Sequence, residues 1–215
     1  MNDFFAGGAN GIVQTLIGHP IDTIKILQQT NHPLHRNIIH YYKGISYPMT
    51  FNLFCSGMTF SIHNNYNHYL NLNCHYMSGF LSGLTMAPII YYVDVGKIHY
   101  QINPKKPFSF LKFKATNGMI ATLGRESLAT SLYMGVYFNY SQIYGPLLSG
   151  GVAGLLSWTI SYPLDVIKTR QMNNVNLNFF QAMNMGYLWR GYTICAIRAI
   201  LVNACGFWAY DNIRH

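Results

Sequence analysis

The sequence predicts an all-α membrane protein: six transmembrane helices in three pseudo-symmetric two-helix repeats around a central cavity. Three observations predict it. Charged residues make up 9% of the chain and hydrophobic ones 50%, against roughly 25% charged in an ordinary soluble domain. A Gly-x-x-x-Gly step followed by an Asp-x-x-Lys pair occurs three times, with Gly7, Gly79 and Gly150 leading the copies 72 and 71 residues apart. Each copy contains two apolar stretches.

The first span, about 4–27, carries Gly7, Gly11 and Pro20. The second, about 47–63, is the shortest and ends in Ser, Asn and His. The third, about 76–100, repeats the step with Gly79 and Gly83, and the fourth, about 118–140, follows Gly118. The fifth, about 145–170, has Gly150, Gly154 and Pro163; the sixth is about 193–212. Most reach the ~20 residues a helix needs to cross the hydrocarbon core. Paired glycines four apart let two helix backbones approach closely, the main joining device in lipid. The chain reads as one domain, 1–215, with repeats of about 1–72, 73–143 and 144–215. The links between odd and even spans are short and leave little room for a surface helix.

A second landmark recurs downstream. Tyr42-Lys43-Gly44 and Trp189-Arg190-Gly191 are aromatic-basic-Gly triplets, and Thr116-Asn117-Gly118 holds the middle place; the glycines are 74 and 73 residues apart. Two landmarks in register argue for true internal repetition, in which each unit buries its apolar face only against its neighbours.

Composition narrows the class of function. Fourteen Lys+Arg against six Asp+Glu give a net charge of +8. Such a balance fits nucleic acid, anionic lipid or an anionic solute. The basic residues are dispersed, with no basic helix or zinc-finger spacing, so no nucleic-acid partner is expected. Cys55, Cys74, Cys195 and Cys205 form no CxxC pair, and the spacing of His32, His35 and His40 is not that of a metal site; no metal is expected. No Ser/His/Asp set, P-loop or dinucleotide fingerprint occurs, so the chain is not expected to be an enzyme. Met1-Asn2-Asp3 leads straight into an apolar segment without an Arg-rich presequence, so any organelle address is expected inside the chain. Twenty Asn, 21 Ile and 17 Tyr hint at an AT-rich genome, as in a protist or a large virus.

Pro-x-Asp-x-x-Lys followed by aromatic-basic-Gly, three times over, resembles the mitochondrial carrier family across nearly the whole chain. Pro20-Ile21-Asp22-Thr23-Ile24-Lys25 and Pro163-Leu164-Asp165-Val166-Ile167-Lys168 carry the resemblance most specifically; the second copy has Tyr92 in place of Pro, with Pro88 one turn earlier. The resemblance implies kinks at Pro20 and Pro163 and a matrix-side gate of ion pairs: Asp22–Lys97, Asp94–Lys168 and Asp165–Lys25. Gln29 and Gln101 occupy the bracing positions; Met172 stands at the third, where the brace is either missing or supplied by Gln171. Ionisable groups within a bilayer are costly and pair inside the bundle. At the opposite gate, Tyr210-Asp211-Asn212-Ile213-Arg214 keeps the family's aromatic-acid-x-x-basic pattern. Asn64 with Asn67, and Phe138 with Ser141, do not, so Asp211 and Arg214 are a remnant and a poorly latched matrix-open state is expected.

Seven residues beyond Gly44, Gly118 and Gly191 stand Phe51, Arg125 and Arg198, which match the family's substrate contact positions. Arg125-Glu126 is similar to the pair of amino-acid and carnitine-type carriers. Arg198 would take a carboxylate through its planar fork, Glu126 a cationic nitrogen, and Phe51 a cation or apolar group through its ring face. The implied function is transport of a small metabolite, by antiport or uniport, through alternating access across the mitochondrial inner membrane (of a host mitochondrion if virus-encoded). An amino acid, a carnitine ester or an S-adenosylmethionine-like compound fits. The alternatives are a nucleotide carrier, or a carrier-fold protein that binds partners or lipid and transports nothing. No cofactor is implied. The expected state is a monomer with bound cardiolipin at Lys43, Gly44, Arg190 and Gly191, where interfacial snorkelling is an equal account.

Overall fold

The computed structural model describes residues 2–29, 42, 45–69, 74–102, 118–173, 177–189 and 192–214. Among them are seven helices and no strand: α1 (Asn2–Gln29), α2 (Ser46–Tyr69), α3 (His75–Ile102), α4 (Met119–Tyr144), α5 (Pro146–Asn173), α6 (Phe179–Asn184) and α7 (Tyr192–Arg214). The six long helices coincide with the six apolar stretches. Pro20, Pro88 and Pro163 lie inside α1, α3 and α5.

Helix α2 runs six residues past its apolar stretch. Its polar end has partners: Asn64 Nδ2 donates to Asp3 Oδ2 at 2.9 Å, and Asn67 Nδ2 donates to His75 Nδ1 at 2.9 Å. The third link is a correction to the sequence reading, since it does hold a short helix, α6. Its start is fixed by Gln181, whose Oε1 accepts the backbone N–H of Asn178 at 3.0 Å, the reach-back half of a capping box. Arg170, on the last turn of α5, ties it down by donating to the carbonyls of Ala182 at 2.8 Å and Gly186 at 2.7 Å.

Each long helix packs on its chain neighbours, and α7 returns to α1, closing the order α1–α2–α3–α4–α5–α7. Close approach within each pair rests on the Gly-x-x-x-Gly steps. A methyl group on Gly7, Gly79 or Gly150 would lie 2.9, 2.8 and 2.9 Å from the carbonyl oxygens of Ser56, Thr130 and Asn203. Those three carbonyls are themselves 74 and 73 residues apart. Two glycines with positive φ serve as hinges between helices: Gly118, at 88°, opens α4, and Gly145, at 79°, alone joins α4 to α5. Side chains with a Cβ rarely adopt that geometry.

Among the described residues no helix is long and apolar enough to cross a membrane. Length is not the shortfall, since the long helices have 23–28 residues. Polar residues interrupt the apolar runs. Many of these are satisfied locally: the hydroxyls of Thr15, Ser82, Ser127 and Ser161 donate to carbonyls one turn back, at 2.8, 2.6, 2.7 and 2.7 Å.

Candidate functional site

The ends of the bundle differ in chemistry. One holds the N-terminus of α1 and the C-termini of α2, α4 and α7, and is called the terminal end. The other holds the C-terminal halves of α3 and α5 with their Asp and Lys residues, and is called the signature end. Between them lies a cavity of about 210 Å³ lined from all six long helices, by Gln14, Cys55, Ile90, Arg125, Trp158 and Asn203 among others.

At the signature end a chain of charges crosses from α5 through α4 and back to α5 and α3. Arg125 Nε lies 3.0 Å from Asp165 Oδ1, and its Nη1 is bonded to Glu126 Oε1. The same Glu126 oxygen lies 3.9 Å from Lys168 Nζ, which donates to Asp94 Oδ2 at 2.5 Å. The Arg125 guanidinium also stands over the Trp158 ring, 5.3 Å from its centroid, within range of a cation–π attraction. Glu126 and Lys168 are buried, at 8% and 4% exposure. Paired in this way, neither has to give up water without a partner.

Of the expected gate pairs, Asp94–Lys168 is in contact. The side chains of Asp22, Lys25 and Lys97, and of the braces Gln29 and Gln101, lie outside the described residues. Asp165, assigned to Lys25, turns towards Arg125. Gln171 gives its amide N–H to the Leu177 carbonyl at 3.3 Å. Among the substrate positions, Arg125 lines the cavity, while Phe51 and Arg198 are not part of its lining. Arg198 lies against α1, where a methyl group on Gly18 would be 3.0 Å from its Nη2. Lys43, Gly44, Arg190 and Gly191, the expected lipid positions, and the side chain of Arg214 are outside the described residues.

The terminal end is aromatic. Phe60 stacks on Tyr210 at 4.2 Å between ring centroids, and Tyr137 stacks on Phe207 at 3.6 Å. Phe138 lies against His63 at 4.8 Å and His75 at 5.1 Å. Asp211 accepts from the Tyr137 hydroxyl at 3.2 Å. Below these rings, Tyr133 Oη accepts from Gln14 Nε2 at 2.6 Å, and Gln14 also donates to Asn203 Oδ1 at 3.1 Å.

The family model for the mitochondrial carrier protein matches residues 1–59 and 139–215, more than half of the chain. The chain belongs to the mitochondrial carrier family. Curated relatives span its length. "Solute carrier family 25 member 45" of Homo sapiens is 25% identical over 99% of this chain and 98% of its own. "Mitochondrial basic amino acids transporter" of Homo sapiens is 27% identical over 78% and 70%. "Mitochondrial arginine transporter BAC2" of Arabidopsis thaliana is 25% identical over 97% and 89%. Members of the family are transporters, so membership of this carrier implies a small-molecule substrate and a place in the mitochondrial inner membrane.

Most of the cavity lining escaped the sequence reading of this carrier, Gln14, Tyr133, Trp158 and Asn203 among them. Trp158 and Tyr133 both line the cavity. Trp158 was signalled by period: it precedes Ser161 by three residues and Asp165 by seven, the face that points inward if the gate aspartate does. Tyr133 had no such mark, because its equivalents in the other repeats, Thr59 and Gly206, are not aromatic.

Proposed function

We propose that this carrier moves a zwitterionic amino acid with a cationic side chain, or a quaternary ammonium acid, across the inner membrane by alternating access. Six of its helices would span the membrane as three two-helix repeats of one domain, acting as a monomer. The matched approach of Gly7, Gly79 and Gly150 to three equivalent carbonyls supports the repeat. Polar side chains turned to the cavity or bonded to their own helix would leave the assembled exterior lipid-compatible.

The observation that carries the substrate class is the continuous chain Asp165–Arg125–Glu126–Lys168–Asp94. A solute carboxylate that takes Arg125 frees Asp165. A solute cation that takes Glu126 frees Lys168. A molecule with both charges replaces both contacts at once: Arg125 and Glu126 keep partners, Lys168 keeps Asp94, and Asp165, whose side chain is 30% exposed, turns to water as the α4–α5 ties loosen. A monovalent solute replaces only half and strands the rest, which is costly. Trp158 offers a ring face already occupied by one organic cation. Arg198 and Phe51 would join as the cavity rearranges. The names of the relatives, basic amino acid and arginine transporters, agree with this class. A nucleotide, polyanionic and larger, fits the shared acidic group poorly. Cardiolipin at the Lys43-Gly44 and Arg190-Gly191 helix starts completes the proposal, since helix N-termini favour anions.

The test is a panel of arginine, lysine, ornithine, carnitine, S-adenosylmethionine and ATP. It is read as thermal stabilisation of purified protein and as radiolabelled uptake into proteoliposomes. A true substrate at a hundredfold its Kd stabilises by about 2.7 kcal/mol, or roughly 5–10 °C for a chain of this size. Glu126→Gln and Arg198→Ala are expected to abolish uptake with folded protein retained. Undiminished uptake in both variants removes the site assignment, and no uptake of any solute favours the reading in which the fold only binds lipid or a partner.

A further inference from the structure

The aromatic-acid-x-x-basic pattern stands at the terminal end in one repeat of the sequence, and the described side chains there show a second means of closure. Helices α1 and α4 stand opposite each other in the packing order, three steps apart in either direction. Yet Gln14 of α1 donates to the Tyr133 hydroxyl of α4 at 2.6 Å, and Asn10 of α1 donates to it at 3.3 Å. Gln14 also bonds Asn203 of α7. These bonds form a bar across the middle of the ring. Directly above it, rings from the three alternate helices meet: Phe60 of α2 contacts Tyr133 and Phe138 of α4, both at 6.4 Å, and Tyr210 of α7 at 4.2 Å. Tyr133 belongs to both layers, since its ring also packs on Phe207 at 4.4 Å.

We propose that this carrier closes its terminal end with an uncharged lock, a hydrogen-bonded bar under an aromatic stack, in which Tyr133 is the positioning residue. The proposal rests on the carrier reading above but not on the identity of the solute. Amide and phenol groups replace salt bridges, so the closure needs no acidic residue at Asn64 or Phe138. An aromatic at 138 is then an asset, since it fills the space where a carboxylate would require a cation. Gln14, Tyr133 and Asn203 also line the cavity. A solute with a hydrogen-bonding group at that end competes for the bar, so occupancy weakens the lock from below.

Cys55 lines the same cavity beneath the lock and serves as the reporter. With Cys74, Cys195 and Cys205 changed to Ser, a membrane-impermeant methanethiosulfonate reagent is applied to vesicles of either orientation. Tyr133→Phe keeps the ring and removes the hydroxyl. It is expected to raise the labelling rate from the terminal side about tenfold, the population shift equivalent to about 1.4 kcal/mol, with labelling from the other side unchanged. Phe60→Leu is expected to do the same through the aromatic layer. If Tyr133→Phe does not fold, Gln14→Leu removes the same bond from the facing helix. Unchanged terminal-side labelling in these variants, or an equal rise from both sides, overturns the lock. No labelling of Cys55 from either side before any lock substitution overturns the carrier reading instead.

Discussion

Replacing Gly83 with Ala tests the packing that places the site. A Cβ at this position would lie 2.4 Å from the Glu126 carbonyl oxygen and 2.6 Å from Ser127 Cα. Both obstacles are backbone, so neither can swing aside. Ordinary contact begins near 3.5 Å, so α4 must recede from α3 by about 1 Å along that line. Overpacking of this kind costs about 1–3 kcal/mol, against a gain of about 0.5–1 kcal/mol from replacing a helical glycine. Gly151→Ala is the matched control, because its nearest neighbour would be Ile200 Cγ2 at 3.5 Å; it keeps the gain without the clash. At roughly 2–4 °C per kcal/mol for a chain of this size, the clash alone should set the two midpoints in detergent about 2–12 °C apart, Gly151→Ala being the higher. The displaced carbonyl belongs to Glu126, so Gly83→Ala should also cut uptake about tenfold or more. Equal midpoints for the two variants would refute the close approach of α3 and α4.

Three further outcomes follow from named contacts. Asp94→Lys sets two cations face to face, while Asp94→Lys with Lys168→Asp restores the pair in reverse, and uptake should fall in the first and partly recover in the second. Removing Lys168 alone should cost about 2–3 kcal/mol of stability, less than the about 3–5 of a fully buried pair because the Asp94 side chain is 27% exposed. Arg170→Lys loses the fork that holds the Ala182 and Gly186 carbonyls; limited proteolysis within 177–189 should then quicken severalfold while uptake is retained.

The repeat was legible because its signal is sequence register: the glycine steps, Asp-x-x-Lys pairs and downstream glycines needed no knowledge of contacts. The long helices followed from the apolar stretches, and the end of α2 did not, because Asn64 and Asn67 look like a terminus until Asp3 and His75 are seen to partner them. Helix α6 left only its Asn178-x-x-Gln181 signature, in a stretch where Asn is interleaved with apolar residues. The gate pair Asp94–Lys168 followed from the family resemblance. The turn of Asp165 towards Arg125 did not, since register gives the depth of a residue and not the rotamer of its neighbours. At the terminal end the sequence was silent for a related reason: counting acids and bases cannot reveal that rings from α2, α4 and α7 are in contact.

The hydroxyls bonded to their own helices have a consequence for how this chain reaches its membrane. A serine that satisfies itself one turn back still lowers the apolarity of the segment on which it sits, so a single helix offers lipid a mottled surface. The smooth side exists only once neighbours cover the remaining polar groups. With the six long helices spanning the bilayer as proposed, insertion would proceed best by hairpins: α1 together with α2, and α4, joined to α5 by the single residue Gly145, together with that partner. A chain halted between them would hold polar groups in lipid without the neighbours that cover them.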